Sequence, residues 1–407
     1  MLTLKLAIRN LLRNTRRTVL TAMLIGFSLT ALILVDALML GMLDILVNSI
    51  TKNLVGEAQI HRAGFRDNFD VDLYLSETNK IRETLDQDPT IAAYSERVLA
   101  GGMLSSSYNV ATGLMYGINA ASERQVTQLP DAIIEGQYLT GKSGEILIGD
   151  ELAELLEVGL GDRLVITLSE ADTSELAQTL FRVAGIFKFG IKGVDKGVVF
   201  TNLGQARGVI GLTNEQSHEF ALRFTDRALA TLPDTAVYQN LNTSEVETLS
   251  WLQLNKPIAS IIELSRFASL IIGSILFILA GLGVINSMFM SIYERIYEFG
   301  VIKALGTRPA RVAGLIMTEA LLIAVISCIA GLILAYILGA YTSVHGVPMG
   351  EYQVSGIAID SRILTRLEPY QFIQFPIYVI FLTLVAAIYP ARFAARIVPT
   401  EALQRSL

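Results

Sequence analysis

Gly136-Gln-Tyr-Leu-Thr-Gly-Lys-Ser143 has the spacing of a phosphate-binding loop. In such a loop, backbone N–H groups and the N-terminus of the following helix cradle phosphate oxygens. Here Lys142 and Ser143 lead through Gly144 into Glu145-Ile-Leu-Ile148, which reads as a strand. A glycine-containing turn between strands is therefore expected, with no nucleotide site in this chain. His61, His218 and His345 lie far apart without ligand spacing and are expected at the surface or in loops. The one cysteine, Cys328, sits in an apolar run, which excludes an internal disulfide and a Cys-rich zinc site. Asp150, Glu151 and Glu154 fall on one predicted helix and read as a solvated face, not as acid–base machinery. Glu319 differs in its surroundings, because it lies inside a long apolar stretch. A carboxyl at membrane depth is a functional candidate by default, although a place near the end of the stretch also lets it reach the interface.

Composition sets the elements that carry these residues. The chain has 407 residues, 52% apolar and 17% charged, against about a quarter charged in soluble domains. Its mean hydropathy is +0.49. This is a membrane protein with a sizeable soluble part. A spanning helix needs about 20 apolar residues, and four stretches qualify: 18–47, which includes Asp36, then 266–293, 312–341 and 370–391. The first is too long for a signal peptide and no small-residue cleavage site follows it, so it is expected to be a retained anchor.

Basic residues give the orientation. Lys5, Arg9, Arg13, Arg16 and Arg17 precede the first span, Arg295, Lys303, Arg308 and Arg311 lie between the second and third, and Arg392, Arg396 and Arg405 follow the fourth. The amphipathic segment 1–17, the loop 294–311 and the tail 392–407 are thus expected in the cytoplasm, as are both termini. Residues 48–265 and the short loop 342–369 are expected outside. From 48 to 265 there are 29 acids and 17 bases, a net of −12, whereas the remainder carries +6. No nucleic-acid partner is expected, and the basic remainder suits a leaflet of anionic lipids.

Residues 48–265 read as an α+β domain. Strands are expected at 57–61, 145–148, 163–168, 181–187 and 197–201, and helices at 79–85 and 150–157. Residues 260–265 read as a stalk into the second span.

The loop after the second span, Asn286–Leu322, carries the most information. On its residues alone it is equally an ordinary charged turn and a knob that docks into another protein. Its run Tyr293-Glu-Arg-Ile-Tyr-Glu-Phe-Gly-Val-Ile-Lys-Ala-Leu-Gly306 resembles the signature of FtsX-like permeases, the membrane subunits of MacB/LolCDE-type ABC transporters. Leu6–Thr21 resembles the N-terminal amphipathic segment of that family. Tyr389-Pro-Ala-Arg-Phe-Ala-Ala-Arg-Ile-Val-Pro-Thr-Glu-Ala-Leu403 resembles its C-terminal end. Glu135-Gly136, Glu145–Gly149, Gly161-Asp162 and Val183–Phe187 are similar to its periplasmic core domain.

The resemblance implies a bacterial inner-membrane protein of four spans with a periplasmic domain between the first two. Glu294, Arg295, Glu298, Gly300, Lys303, Ala304 and Gly306 would form a coupling helix seated on a separate cytoplasmic ATPase. That partner would bind ATP and magnesium, and this chain would hold no cofactor. A second permease subunit, the same or homologous, would complete the transporter. The chain starts a few residues before the first span, so a separate rather than fused ATPase is expected. Size places the chain nearest the lipoprotein-releasing branch, whose work is extraction of lipoproteins and transfer to a periplasmic chaperone. That branch uses a long proline-containing hook. The matching stretch here, 169–178 with Glu170, Asp172 and Glu175, is short, acidic and free of proline, which puts chaperone recruitment in doubt. A regulator transmitting force to a periplasmic enzyme, an exporter of another amphiphile, and a sensor without an ATPase remain open.

Overall fold

A computed structural model describes residues 2–350, 352–354, 356–359 and 362–400. Glu401, Ala402, Leu403 and Arg405 lie outside the described residues. The chain divides into two units. Residues 1–43, 262–349 and 362–407 form one, and residues 44–261 and 350–361 form the other.

The chain opens with α1 (Leu2–Arg13), which turns at Asn14 into α2 (Thr15–Ile50). A π-helical turn, Thr51–Val55, ends this run, and Gly56 closes it with φ +77°. The inserted unit then runs β1 (Ala58–Arg62), α3 (Phe65–Asn68), α4 (Thr78–Gln87), β2 (Ile91–Ser105), β3 (Val110–Ile118), α5 (Ala120–Val126), β4 (Ile133–Gly136) and β5 (Glu145–Gly149). It continues with α6 (Asp150–Leu156), β6 (Arg163–Ser169), β7 (Leu176–Phe187), α7 (Lys192–Gly197), β8 (Val198–Asn202), α8 (Leu203–Ile210), β9 (Glu219–Phe224), α9 (Ala236–Leu241), β10 (Val246–Ser250) and α10 (Trp251–Leu254). The remaining helices are α11 (Lys256–Glu294), α12 (Ile296–Ala304), α13 (Pro309–His345) and α14 (Gln371–Arg396). Four of these, α2, α11, α13 and α14, are long and apolar enough to cross a membrane.

The ten strands form one mixed sheet in the order β10-β1-β9-β2-β3-β8-β5-β7-β4. β6 pairs with both β2 and β7, so β2, β3, β8, β5, β7 and β6 close into a ring. Only the β3–β8 and β5–β7 pairs are parallel. β2 makes the closure possible: its 15 residues reach β9 through Ile91–Arg97 and β6 through Gly102–Ser105. Alternate residues fill the interior, with Val98, Leu104, Ile146, Ile148, Ile166, Phe181 and Val199 all buried in one cluster. Each such large side chain contributes about 2 kcal/mol of burial. Local signals set the helices. Asn119 caps α5 by accepting from the N–H groups of Ala121 and Ser122, and Ser250 and Gln253 form a capping box on α10.

In the membrane unit the core is made by Ile25, Leu29 and Ile33 of α2, Val284 and Met288 of α11, Ile316 and Ile323 of α13, and Val379 of α14. α2 and α13 meet at Gly26 and Gly331, where a Cβ on Gly331 would lie 2.7 Å from the Gly26 carbonyl oxygen. Thr30 Oγ1 donates to the Gly331 carbonyl at 3.0 Å. Small residues allow backbones to pack this closely where lipid supplies no hydrophobic drive.

Several expectations need correction. The connection after α13 is not a plain loop: Val347–Pro348 pairs with Arg362–Ile363, and Tyr352–Val354 with Ile357–Ile359. His61 and His218 are fully buried, not at the surface; His345 alone is exposed. His218 is tolerated because both ring nitrogens are satisfied. Nδ1 accepts from the Leu99 N–H at 3.1 Å, and Nε2 stands 3.0 Å from the Val71 carbonyl. The ring also stacks on Phe65, with centroids 5.0 Å apart.

Candidate coupling site

α11 stops at Glu294 because Arg295 leaves the helical conformation, with ψ +15°, and the chain restarts as α12. Arg295 is buried, and its guanidinium is spent inside the membrane unit. Nη1 donates to Glu319 Oε1 at 2.9 Å and Nε to Glu298 Oε2 at 3.2 Å. The same Glu319 oxygen accepts from Asn10 Nδ2 at 2.6 Å. Arg295 also lies over the Phe299 ring, 5.0 Å from its centroid. The acid that sequence singled out on α13 is thus the anchor that binds α12 and α1 to that helix.

A second set of contacts joins the N-terminal segment to the loop. Arg13 Nη1 pairs with Glu298 Oε1 at 2.8 Å, while Arg17 Nη1 and Asn14 Nδ2 donate to Glu294 Oε2 at 2.7 and 2.8 Å. Burial pushes the Glu298 carboxyl up, but hydrogen bonds from Arg13 and Arg295 outweigh it and hold the pKa below the usual range. Deeper in the unit, Thr21 Oγ1 donates to Ser287 Oγ at 2.6 Å, tying α2 to α11.

The seven residues expected to touch a partner separate into two kinds. Arg295 and Gly300 are buried, and Lys303 donates to the carbonyls of Ala395 and Ile397 at 2.8 and 2.6 Å, capping the end of α14. These three hold the segment in place. Glu294, Ala304 and Gly306 are exposed and Glu298 is half-buried. Gly306, with φ +92°, accepts the left-handed turn that ends α12. The most exposed large side chains of the segment are others: Leu305 at 83%, Tyr297 at 48% and Ile302 at 39%. Apolar residues in a charged loop were the signal that marks them. Asn10, Arg13 and Arg17 were also missed as part of this site. With Asn14 they recur at three- and four-residue spacing, which puts them on one helical stripe.

The other candidates fall elsewhere. Lys142 and Ser143 pass through Gly144, with φ +86°, into β5, so no helix begins directly after them. Asp150 pairs with Lys188 at 2.8 Å on the surface of the inserted unit. The stretch with Glu170, Asp172 and Glu175 is a tight turn folded back on its unit. The Glu170 N–H donates to the Glu175 carbonyl at 2.8 Å, that of Asp172 to Asp72 Oδ1 at 2.7 Å, and Tyr74 Oη to Asp172 Oδ2 at 3.1 Å. Among the described residues no cluster of three or more His, Cys, Asp or Glu is placed to hold a metal.

The inserted unit has its own buried charge network, which sequence did not find. Fully buried Arg97 donates from Nη2 and Nε to Glu123 at 2.7 and 3.0 Å, and from Nη1 to Glu219 Oε1 at 2.8 Å and the Leu54 carbonyl at 2.7 Å. Burial alone would lower the Arg97 pKa, yet its two carboxylates raise it further, so it stays charged. Glu219 Oε2 makes no hydrogen bond and faces Arg66 Nη1 at 3.6 Å, and the network holds β2, β9 and α5 together.

Four membrane-length helices, a closed mixed sheet inserted after the first, and a short tethered helix between the second and third define a permease-type architecture. The FtsX-like permease C-terminal family matches residues 270–399, and the MacB-like periplasmic core domain family matches residues 18–237. The lipoprotein-releasing system transmembrane protein LolC of Xylella fastidiosa is 25% identical over 340 residues, 78% of this chain and 78% of its own length. LolC of Neisseria meningitidis serogroup B is 24% identical over 394 residues, 93% of this chain and 92% of its own. The crystal structure of the periplasmic region of MacB from Actinobacillus actinomycetemcomitans gives a TM-score of 0.36 at 14% identity, covering 51% of this chain and 92% of that one. The chain belongs to the FtsX-like permeases with a MacB-like periplasmic core domain, and is an ABC transporter permease of the LolC/MacB type.

Proposed function

We propose that this chain works with a separate cytoplasmic ATPase, which holds ATP and magnesium, and uses that hydrolysis to move its periplasmic domain and release lipoproteins from the inner membrane. The observation that carries the reading is α12. Arg295, Glu319 and Lys303 lock it to α13 and α14, while Tyr297, Ile302 and Leu305 stay exposed. An element gripped on one side and apolar on the other can pass a push from a docked protein into the spanning helices. The lipoprotein-releasing names of the LolC relatives, which align over most of the chain, supply the cargo class. The basic N-terminal segment and α12 loop support cytoplasmic termini.

The turn at Glu170, Asp172 and Glu175 is pinned to its own unit, so we assign chaperone contact to the second permease subunit. Mild-detergent purification of the tagged chain, with mass spectrometry of proteins and acylated peptides, tests the reading. An ABC ATPase, a second permease and lipoproteins are expected together. An ATPase that arrives with a periplasmic enzyme and no lipoprotein would make the chain a force-transmitting regulator.

A further inference from the structure

α1 has two faces with different fates. Ala7 is fully buried, Asn10 bonds Glu319, and Arg13 is paired with Glu298. On the opposite side Lys5, Ile8, Arg9 and Leu12 follow one another at three- and four-residue steps, and all are exposed. Leu12 is 68% and Ile8 44% exposed. Arg16, at the start of α2, prolongs the same spacing and is also exposed. Lys5, Arg9 and Arg16 have no ion-pair partner among the described residues, whereas Arg13 and Arg17 are engaged by Glu298 and Glu294. No acid occurs before Asp36. One residue, Asn14, separates α1 from a helix of membrane length.

An apolar flank beside unpaired cations, continuous with a span, fits one occupant. We propose that the outer face of α1 binds anionic phospholipid headgroups, with Lys5, Arg9 and Arg16 on the phosphates and Ile8 and Leu12 at the acyl boundary. The inner face of the same helix holds α12 through Asn10 and Arg13. α1 is therefore a bracket that fixes the coupling segment to the leaflet surface. Only this last consequence rests on the coupling role of α12. Zwitterionic lipid would satisfy the apolar flank and leave the three cations without counter-charge.

The test uses the full chain in lipid nanodiscs with no ATPase present. An environment-sensitive fluorophore is placed at Leu12→Cys in a Cys328→Ala background, the native thiol being buried. Quenching is compared between phosphatidylglycerol and phosphatidylcholine with brominated acyl chains, each diluted into the other lipid unbrominated. Brominated phosphatidylglycerol should reach half-quenching at about a fivefold lower mole fraction, the enrichment that one near-surface cation confers. The difference should shrink in about 0.5 M salt. It should vanish in the triple variant Lys5→Gln, Arg9→Gln, Arg16→Gln, with quenching by both lipids retained. Equal quenching by the two lipids in the unaltered chain would overturn the proposal. So would the absence of quenching by either, which would mean that protein, not lipid, covers this face. Neither result bears on whether an ATPase docks at α12, so the two readings fail separately.

Discussion

Glu319 pairs with the equally buried Arg295 in a helix where a lone carboxylate would be costly. Removing one member of a buried pair leaves the other uncompensated, at about 3–5 kcal/mol. Glu319→Leu should therefore lower the unfolding temperature of the detergent-solubilised chain sharply. The double variant Arg295→Met, Glu319→Leu should recover most of the loss, because it removes both charges. The partly exposed pair Arg13–Glu298 contributes at most about 1 kcal/mol and is screened by salt, so Arg13→Gln should shift stability little. In the inserted unit, burial holds the His218 ring below its usual pKa near 6.5. The unfolded chain then binds a proton below about pH 6.5 that the folded ring refuses, so stability falls as pH drops from 7 to 5. His61, also lowered chiefly by burial, acts in the same direction. His218→Phe should cost about 1–3 kcal/mol at pH 7, because the Leu99 N–H and Val71 carbonyl lose their partner. It should also flatten the pH dependence that chemical denaturation at several pH values would reveal. Sequence marked Glu319 because an acid in an apolar run is visible without a fold. It misplaced His61 and His218 because their partners, such as Leu99 and Val71, are distant in sequence.

At the scale of elements, the four long helices were legible because apolar run length alone identifies them. Their ends moved outward: α13 begins at Pro309 and runs to His345, beyond the apolar stretch. The closed sheet was much less legible. β2, β3, β4, β9 and β10 were not anticipated, and β2 and β9 carry Arg97 and Glu219, charges that read as loop when their mutual pairing is unknown. The helix contact at Gly26 and Gly331 gives a direct test. Gly331→Ala would drive a methyl into the Gly26 carbonyl and spread α2 from α13, a loss of about 1–3 kcal/mol. Gly314, on the same helix, has nothing within 4 Å of a built Cβ. Gly314→Ala should be neutral or gain up to about 1 kcal/mol from helix propensity. Thermal unfolding of the two variants side by side separates close packing from a general effect of alanine.

For the whole molecule, charge asymmetry and the family resemblance together anticipated the architecture of a spanning bundle with an inserted domain. What they left open was which part of the loop between α11 and α13 is structural and which is presented outward. Side-chain packing divides it. Arg295, Gly300 and Lys303 face the bundle, while Tyr297, Ile302 and Leu305 face away. The division matters because, on the proposed function, a residue that grips the bundle would transmit motion and one that faces outward would receive it. The account stands or falls on whether an ATPase meets that outward face. A photo-crosslinking amino acid at Leu305, introduced in living cells, measures this most directly, with the exposed Ile278 in the middle of α11 as control position. The predicted result is an adduct with a cytoplasmic ABC ATPase from Leu305 and none from Ile278. If Leu305, Ile302 and Tyr297 all fail to crosslink an ATPase in cells that express the protein, α12 is not the point at which force enters.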